Sequence, residues 1–226
     1  MSNAKRSVVF LSGSPKVNQD EAVSEFLAKR CAKALADDAL DSQVIPVREA
    51  LLHHKTGEAF AAVQQADAIV VIFPLYFFCM PAMLTRFLQD FAVAYPAALK
   101  QTSVYAIVNC GFPEPEINLE AMRVMESFCQ HTGRTFGGGV LIGCGGMLID
   151  AQDAPFMKPV FEQIEGLLSR VKDNLNATEP PEAILSNAVA KFPRFLYFLA
   201  GNSGWHMMAR KNGLRTKELY QKPYQS

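Results

Sequence analysis

IVVIFPLYFFCMPAMLTR, residues 69–86, runs an uncharged, β-branched strand straight into a Pro-Leu-Tyr turn, after which a second proline opens a helix. A continuous apolar strand of this kind is buried on both faces, as in a parallel sheet covered by helices. The strand-turn-helix passage forms a shelf at the carboxyl edge of that sheet, where open α/β folds take up ligands. Upstream, VVFLSGSPKVNQD, residues 8–20, repeats the arrangement with an apolar run that breaks into a loop of Gly, Ser, Pro and Asn. Such a loop suits a phosphate.

Outward from these two segments the pattern alternates. Strand one is read over Ser7 to Ser12, and the helix after it carries Val23, Phe26, Leu27, Cys31, Ala34 and Leu35 on one face. Strand two spans Gln43 to Val47 and leads to a short helix around Glu58 to Gln65; strand three is Ala68 to Phe73. The helix from Pro81 to about Tyr95 has proline in its first turn, where the missing N–H does no harm. Strand four, Val104 to Cys110, ends in Gly111-Phe112-Pro113 and precedes a helix from about Asn118 to His131. Strand five, Val140 to Cys144, lies in a glycine-rich stretch, and Phe156, Val160, Ile164, Leu167, Val171 and Leu175 mark a last long helix. Five strands alternating with helices imply a three-layer α/β/α sandwich around a parallel sheet of order 2-1-3-4-5, with a ligand at the switch between strands one and three.

The chain has 226 residues, half of them hydrophobic, enough for one sizeable domain over residues 1–176. Pro180-Pro181 follows it, and residues 177–226 read as a helical, basic extension of two short helices broken near Gly201 to Gly204. That extension holds seven Lys/Arg against three Glu, although the whole chain is neutral. A neutral chain generates no field that draws it to nucleic acid. The five cysteines, at 31, 79, 110, 129 and 144, show no CxxC spacing; without a secretory signal they read as reduced thiols of a cytoplasmic protein. No metal site is expected from these cysteines or from His53, His54 and His206, because none has partners at ligand spacing. His131, at a helix end, reads as a dipole partner.

One molecule with a phosphate and a planar ring would use both loops, and flavin mononucleotide (FMN) has that shape. GSPK at 13–16, FPLYFFCMPAMLTRFL at 73–88 and NCGFPE at 109–114 together resemble the flavodoxin-like NAD(P)H-dependent FMN reductases. The likeness extends to the tail, Phe192 to Leu214, and so covers nearly the whole chain. The resemblance implies that Ser12, Ser14, Lys16 and Asn18 hold the FMN phosphate. It also implies that Pro74, Leu75, Tyr76 and Phe77, with Asn109, Cys110, Gly111 and Phe112, flank the isoalloxazine ring. It implies reduction by NADH or NADPH and a homodimer with flavin near the interface. The compact cysteine cluster of the iron–sulfur relatives is missing. Where relatives carry neutral residues, this chain has Asp20-Glu21, whose carboxylates repel a phosphate by roughly 3 kcal/mol at ~5 Å and an effective dielectric of ~20. Asp20 is also a good helix N-cap.

Ordinary structural roles compete with these assignments. Ser14, Lys16 and Asn18 suit a plain strand-to-helix turn, Tyr76 and Phe77 suit a core, and buried Cys79 and Cys110 suit inert packing. The aromatic, basic tail suits packing over the sheet edge or across a dimer better than a lipid surface. The functional expectation is an FMN-dependent oxidoreductase that passes electrons from NAD(P)H to a small acceptor, a quinone, a flavin or an aromatic compound, with no catalytic side chain assigned. Two other readings are a non-enzymatic electron carrier, to which neutral charge and a basic tail are ill suited, and a flavin-free interaction module, which Asp20-Glu21 would favour.

Overall fold

The computed structural model describes residues 5–17, 22–36, 40–222 and 224. They divide into two compact units, Met1–Ala190 and Lys191–Ser226. The first is a six-stranded, all-parallel sheet in the order β2-β1-β3-β4-β5-β6. Its strands are β1 Arg6–Ser12, β2 Leu40–Pro46, β3 Ala68–Pro74, β4 Ser103–Asn109, β5 Thr135–Ile142 and β6 Ile184–Ala188. The helices are α1 Val23–Leu35, α2 Val47–Leu52, α3 Thr56–Gln65, α4 Ala82–Ala94, α5 Leu119–His131 and α6 Lys158–Asn174. This is the flavodoxin-like α/β sandwich, with one strand more than the five expected.

Strands β3 and β4 sit at the centre because almost every residue in them can be buried: only Pro74 of β3 is partly exposed, and β4 is buried throughout. Alternate residues feed two cores. Val9, Leu11, Ile69, Val71, Phe73, Val104, Ala106 and Val108 meet α2 to α5, where Phe87 and Phe91 stack edge-on against Phe60. The opposite face is covered by α1 and α6, which pack on each other and bury Leu27, Cys31, Ile164 and Leu167.

Strand β5 begins at Thr135, five residues before its expected start, because the glycine run is interior strand. Two residues, Gly137 and Gly138, oppose the single Tyr105 in a bulge, and the buried Tyr105 ring lies where a Gly137 side chain would go. A Cβ on Gly139 would stand 2.0 Å from the Ala106 carbonyl oxygen, and one on Gly138, at φ +86°, would stand 2.1 Å from that of Ile184. The bare backbone of β5 thus admits β6. Residues 184–188, read from the sequence as part of a helical extension, pair with Gly138 to Ile142.

The second unit contains α7, Arg194–Lys211, and a 3-10 turn at Thr216–Tyr220. The helix runs unbroken through Gly201 and Gly204, where two short helices were expected. The Ser203 hydroxyl donates to the Leu199 carbonyl inside this stretch.

At the edge opposite the β3 turn, Asp67 clamps the sheet. It accepts from the Ser7 N–H at 2.8 Å, Lys100 Nζ at 2.8 Å and Arg6 at 3.2 Å. Burial alone would raise its pKa, but the hydrogen bonds from Lys100 and Ser7 and the Lys100 charge hold it below the usual value. A depressed carboxylate stabilises the fold above its unfolded pKa of about 3.9 and loses that contribution as pH falls through the folded value. In urea titrations from pH 7 to pH 3, the midpoint difference between wild type and Asp67→Asn should therefore shrink below about pH 4. Thermal unfolding should separate two glycines. Gly139→Ala forces a backbone carbonyl aside and should cost about 2 kcal/mol or more. Gly166→Ala, in α6 with nothing near its missing Cβ, should stabilise by about 0.5–1 kcal/mol.

Candidate functional site

Four loops leave the carboxyl ends of β1, β3, β4 and β5 and enclose a cavity of about 750 Å³, a size typical of cofactor sites. Backbone hydrogen bonds fix the loops to one another. Gly13 N–H donates to Ile72 O at 2.8 Å, Leu75 N–H to Asn109 O at 2.8 Å, and Cys110 N–H to Ile142 O at 3.0 Å. The β5 loop is tied back by Cys144 N–H to Phe112 O and Gly145 N–H to Cys110 O, both at 2.7 Å.

Of the residues singled out from the sequence, Ser14, Lys16, Pro74, Leu75, Tyr76, Asn109, Cys110 and Gly111 line this cavity together. Ser14 Oγ accepts the Lys16 N–H at 3.2 Å and so folds the β1 loop on itself. Three others are placed elsewhere. Ser12 is buried at the end of β1, and Phe77 and Phe112 are exposed and outside the lining. Asn18, with Asp20 and Glu21, lies outside the described residues. The helix after this loop starts at Val23 with Ala22 in the N-cap position. An alanine side chain has no oxygen to offer, and among the described residues the N-cap position makes no side-chain cap.

The sequence reading missed Ser24, Gly145, Gly146, Ile149 and Asp150, which complete the lining. For the β5 loop the signal was present in the glycines at 143, 145 and 146, directly after a strand. Ser24 had no such signal, because its place depends on where α1 begins.

Two features show what the cavity fits. Among the described residues five buried side-chain polar atoms have no hydrogen-bond partner, and two of them, Ser24 Oγ and Asn109 Oδ1, belong to residues that line it. Buried polar groups are otherwise almost always paired. The uncapped α1 start adds the positive end of a helix dipole beside Ser14, Lys16 and Ser24, the arrangement that binds a phosphate. Tyr76 and Leu75 offer apolar surface at the other end of the same lining. A phosphate joined to a flat ring fits this set.

The turn that carries Tyr76 is unusually tight. Tyr76 and Cys79 exchange two backbone hydrogen bonds, at 2.8 and 2.9 Å, across a two-residue loop in which Phe77 (φ 48°) and Phe78 (φ 61°) are both left-handed.

Burial disfavours the thiolate form of the cavity thiol. Cys110 Sγ lies 3.5 Å from Phe112 O and 3.6 Å from both Ile142 O and Asn118 Nδ2, and burial raises its pKa despite these contacts. Burial, then the neighbouring Cys110, pushes Cys144 up to about 11. Burial also takes Cys31 and Cys129 to about 12. Among the described residues no group of three or more His, Cys, Asp or Glu is placed to hold a metal ion, and no helix is long and apolar enough to cross a membrane.

The fold and the site define a flavodoxin-like protein with a cavity at the carboxyl edge of its sheet. Residues 6–113 match the family model described as NADPH-dependent FMN reductase. The fold recurs in an NADH:FMN oxidoreductase solved in its apo form, 21% identical, matched over 85% of this chain and 98% of its own with a TM-score of 0.54. It recurs also in a putative quinone reductase from Klebsiella pneumoniae, 13% identical over 78% and 87% of the two chains with a TM-score of 0.50. No curated protein matches the chain.

Thiolates, not thiols, are alkylated, which makes the thiol environment testable. Iodoacetamide at pH 7.5 should label the native protein at half-buried Cys79 alone, and all five cysteines after unfolding, as read by mass spectrometry.

Proposed function

We propose that the protein passes electrons from NADH or NADPH, through FMN in the carboxyl-edge cavity, to a small acceptor such as a quinone, a flavin or an aromatic compound. The observation that carries this reading is the pairing of orphaned Ser24 Oγ and Asn109 Oδ1 with an uncapped α1 start in one cavity. Bound FMN supplies the redox chemistry, hydride uptake from the nicotinamide and electron delivery to the acceptor.

The protein's own residues bind and orient. In this reading Ser14, Lys16 and Ser24, with the first turn of α1, hold the phosphate. Leu75, Tyr76, Asn109 and Gly111 seat the ring, with Asn109 Oδ1 accepting a hydrogen bond that no protein donor supplies. The Gly145-Gly146 loop closes one wall and limits water. No side chain in the lining need move a proton for hydride transfer, since the work is positioning of two planar partners. We take the protein to be a cytoplasmic homodimer, a reading supported by five free thiols and the resemblance of its motifs. In the same reading the basic helical segment at the C-terminus is an appendage to the flavin-binding domain.

Titration of the purified protein with FMN, followed by flavin fluorescence, should show saturable binding near or below micromolar, and the loaded protein should oxidise NADH or NADPH. Ser14→Ala combined with Tyr76→Ala should weaken FMN binding at least tenfold, through one lost hydrogen bond and one lost aromatic face. Unchanged affinity would place the flavin elsewhere, and a protein that takes up no FMN would favour the interaction-module reading.

A further inference from the structure

Helix α7 has no polar side. At about 100° per residue, Phe198 and Trp205 lie together on one side and Met207 lies opposite Phe198, with Phe195 and Leu199 between. All five are exposed, Phe195, Trp205 and Met207 by 70%, 64% and 69%, and Ala209 is the one buried residue of the helix. A helix that is apolar all round is normally enclosed. Packing against one surface covers one side of it, so a single copy of the fold leaves the other side in water.

Charge identifies what encloses the helix. The unit Lys191–Ser226 holds seven Lys/Arg and one Glu, a charge of +6, and because the whole chain is neutral, Met1–Ala190 carries −6. The one acid, Glu218, is already engaged by the Arg215 N–H and guanidinium. The counter-charge must therefore come from outside the unit, and every further copy of the chain brings an acidic first unit that supplies it. The size agrees with a contact between copies. A helix of 18 residues and ~10 Å diameter has roughly 850 Å² of side surface, close to the ~800 Å² each partner gives to a stable interface. A lipid surface fits less well. A helix lying in the interface needs separate apolar and polar faces, and no described helix is long and apolar enough to cross a membrane.

We propose that Lys191–Ser226 is an exchanged arm: α7 of one copy docks on the acidic first unit of a second copy, which returns the same contact. Such reciprocity is what a two-fold dimer requires. The inference goes beyond the homodimer reading above, which names no surface, and concerns a segment outside residues 6–113, the part matched by the family model.

The test is made on the full chain. Light and isotopically heavy protein are mixed until native mass spectrometry shows the mixed dimer, then treated with a zero-length carbodiimide crosslinker. Links from Lys191, Lys211, Lys217 or Lys222 to carboxylates of Met1–Ala190 should join light peptides to heavy ones. In sedimentation equilibrium, Phe195→Ser with Trp205→Ser should raise the dimer Kd about thirtyfold or more, the scale of one lost aromatic anchor. Arg210→Glu with Lys211→Glu should also raise it, and raising salt from about 50 to about 500 mM should weaken the wild-type dimer, as it does for opposite charges.

Links confined to peptides of one isotope would overturn the exchange by returning the arm to its own copy. A dimer whose Kd neither variant changes would overturn it and leave the homodimer reading standing on another surface. A dimer that tightens with salt would overturn the pairing of basic arm with acidic unit. A monomeric wild type would remove both readings, and its co-sedimentation with phosphatidylserine vesicles would assign the arm to lipid instead.

Discussion

The hydrogen bond from Leu75 N–H to Asn109 O, at 2.8 Å, holds the carboxyl edge together. Residues of β3 and β4 pair in register up to Pro74 and Asn109. This bond carries the ladder one step further, into the loops. The bonds from Gly13 to Ile72 and from Cys110 to Ile142 do the same on either side. Each adds only about 1 kcal/mol net, but leaving such a buried group unpaired costs more than that. The loops consequently leave the sheet as one connected rim, and the cavity between them is set by the central strands.

Those strands were legible because burial on both faces leaves a plain mark in sequence. Ile69 to Phe73 and Val104 to Val108 carry no charge, and both elements fall where expected, within a residue. The parallel sheet followed from alternation, since parallel neighbours need helical crossovers, and its order is the common doubly wound one. The fifth and sixth strands were less legible. Gly137 to Gly139 look like loop residues, and nothing local reveals that the Tyr105 ring fills the space a Gly137 side chain would take or that Ile184 and Ala106 backbone crowds the other two. Once β5 is bare, a short segment such as Ile184 to Ala188 can approach it, although its own residues are half exposed and weakly patterned. In α7 the error was of another kind. Glycine lowers helix propensity but does not end a helix when no competing cap is present.

The site followed the same division. The loops that carry eight of its residues were readable from one rule, that ligands meet the ends of parallel strands, and the family resemblance singled out the residues on them. That rule applied to Gly145 and Gly146 as well, since they too follow a strand. Phe77, expected to flank the ring, stands exposed and outside the lining on a left-handed backbone that its sequence does not reveal. Ser24 depends on a helix that starts at Val23, a boundary that no residue in the loop announces.

On the FMN reading, the start of α1 ties the amount of folded protein to its cofactor. A helix that ends in Ala22, next to an unpaired Ser24 hydroxyl, lacks a cap ordinarily worth about 1 kcal/mol. A molecule bound only by the folded state restores such terms by mass action, about 2.7 kcal/mol at a hundredfold excess over its Kd. The fold thus holds part of its stability in reserve outside the chain, and its lifetime rises and falls with the supply of the molecule that occupies the loop.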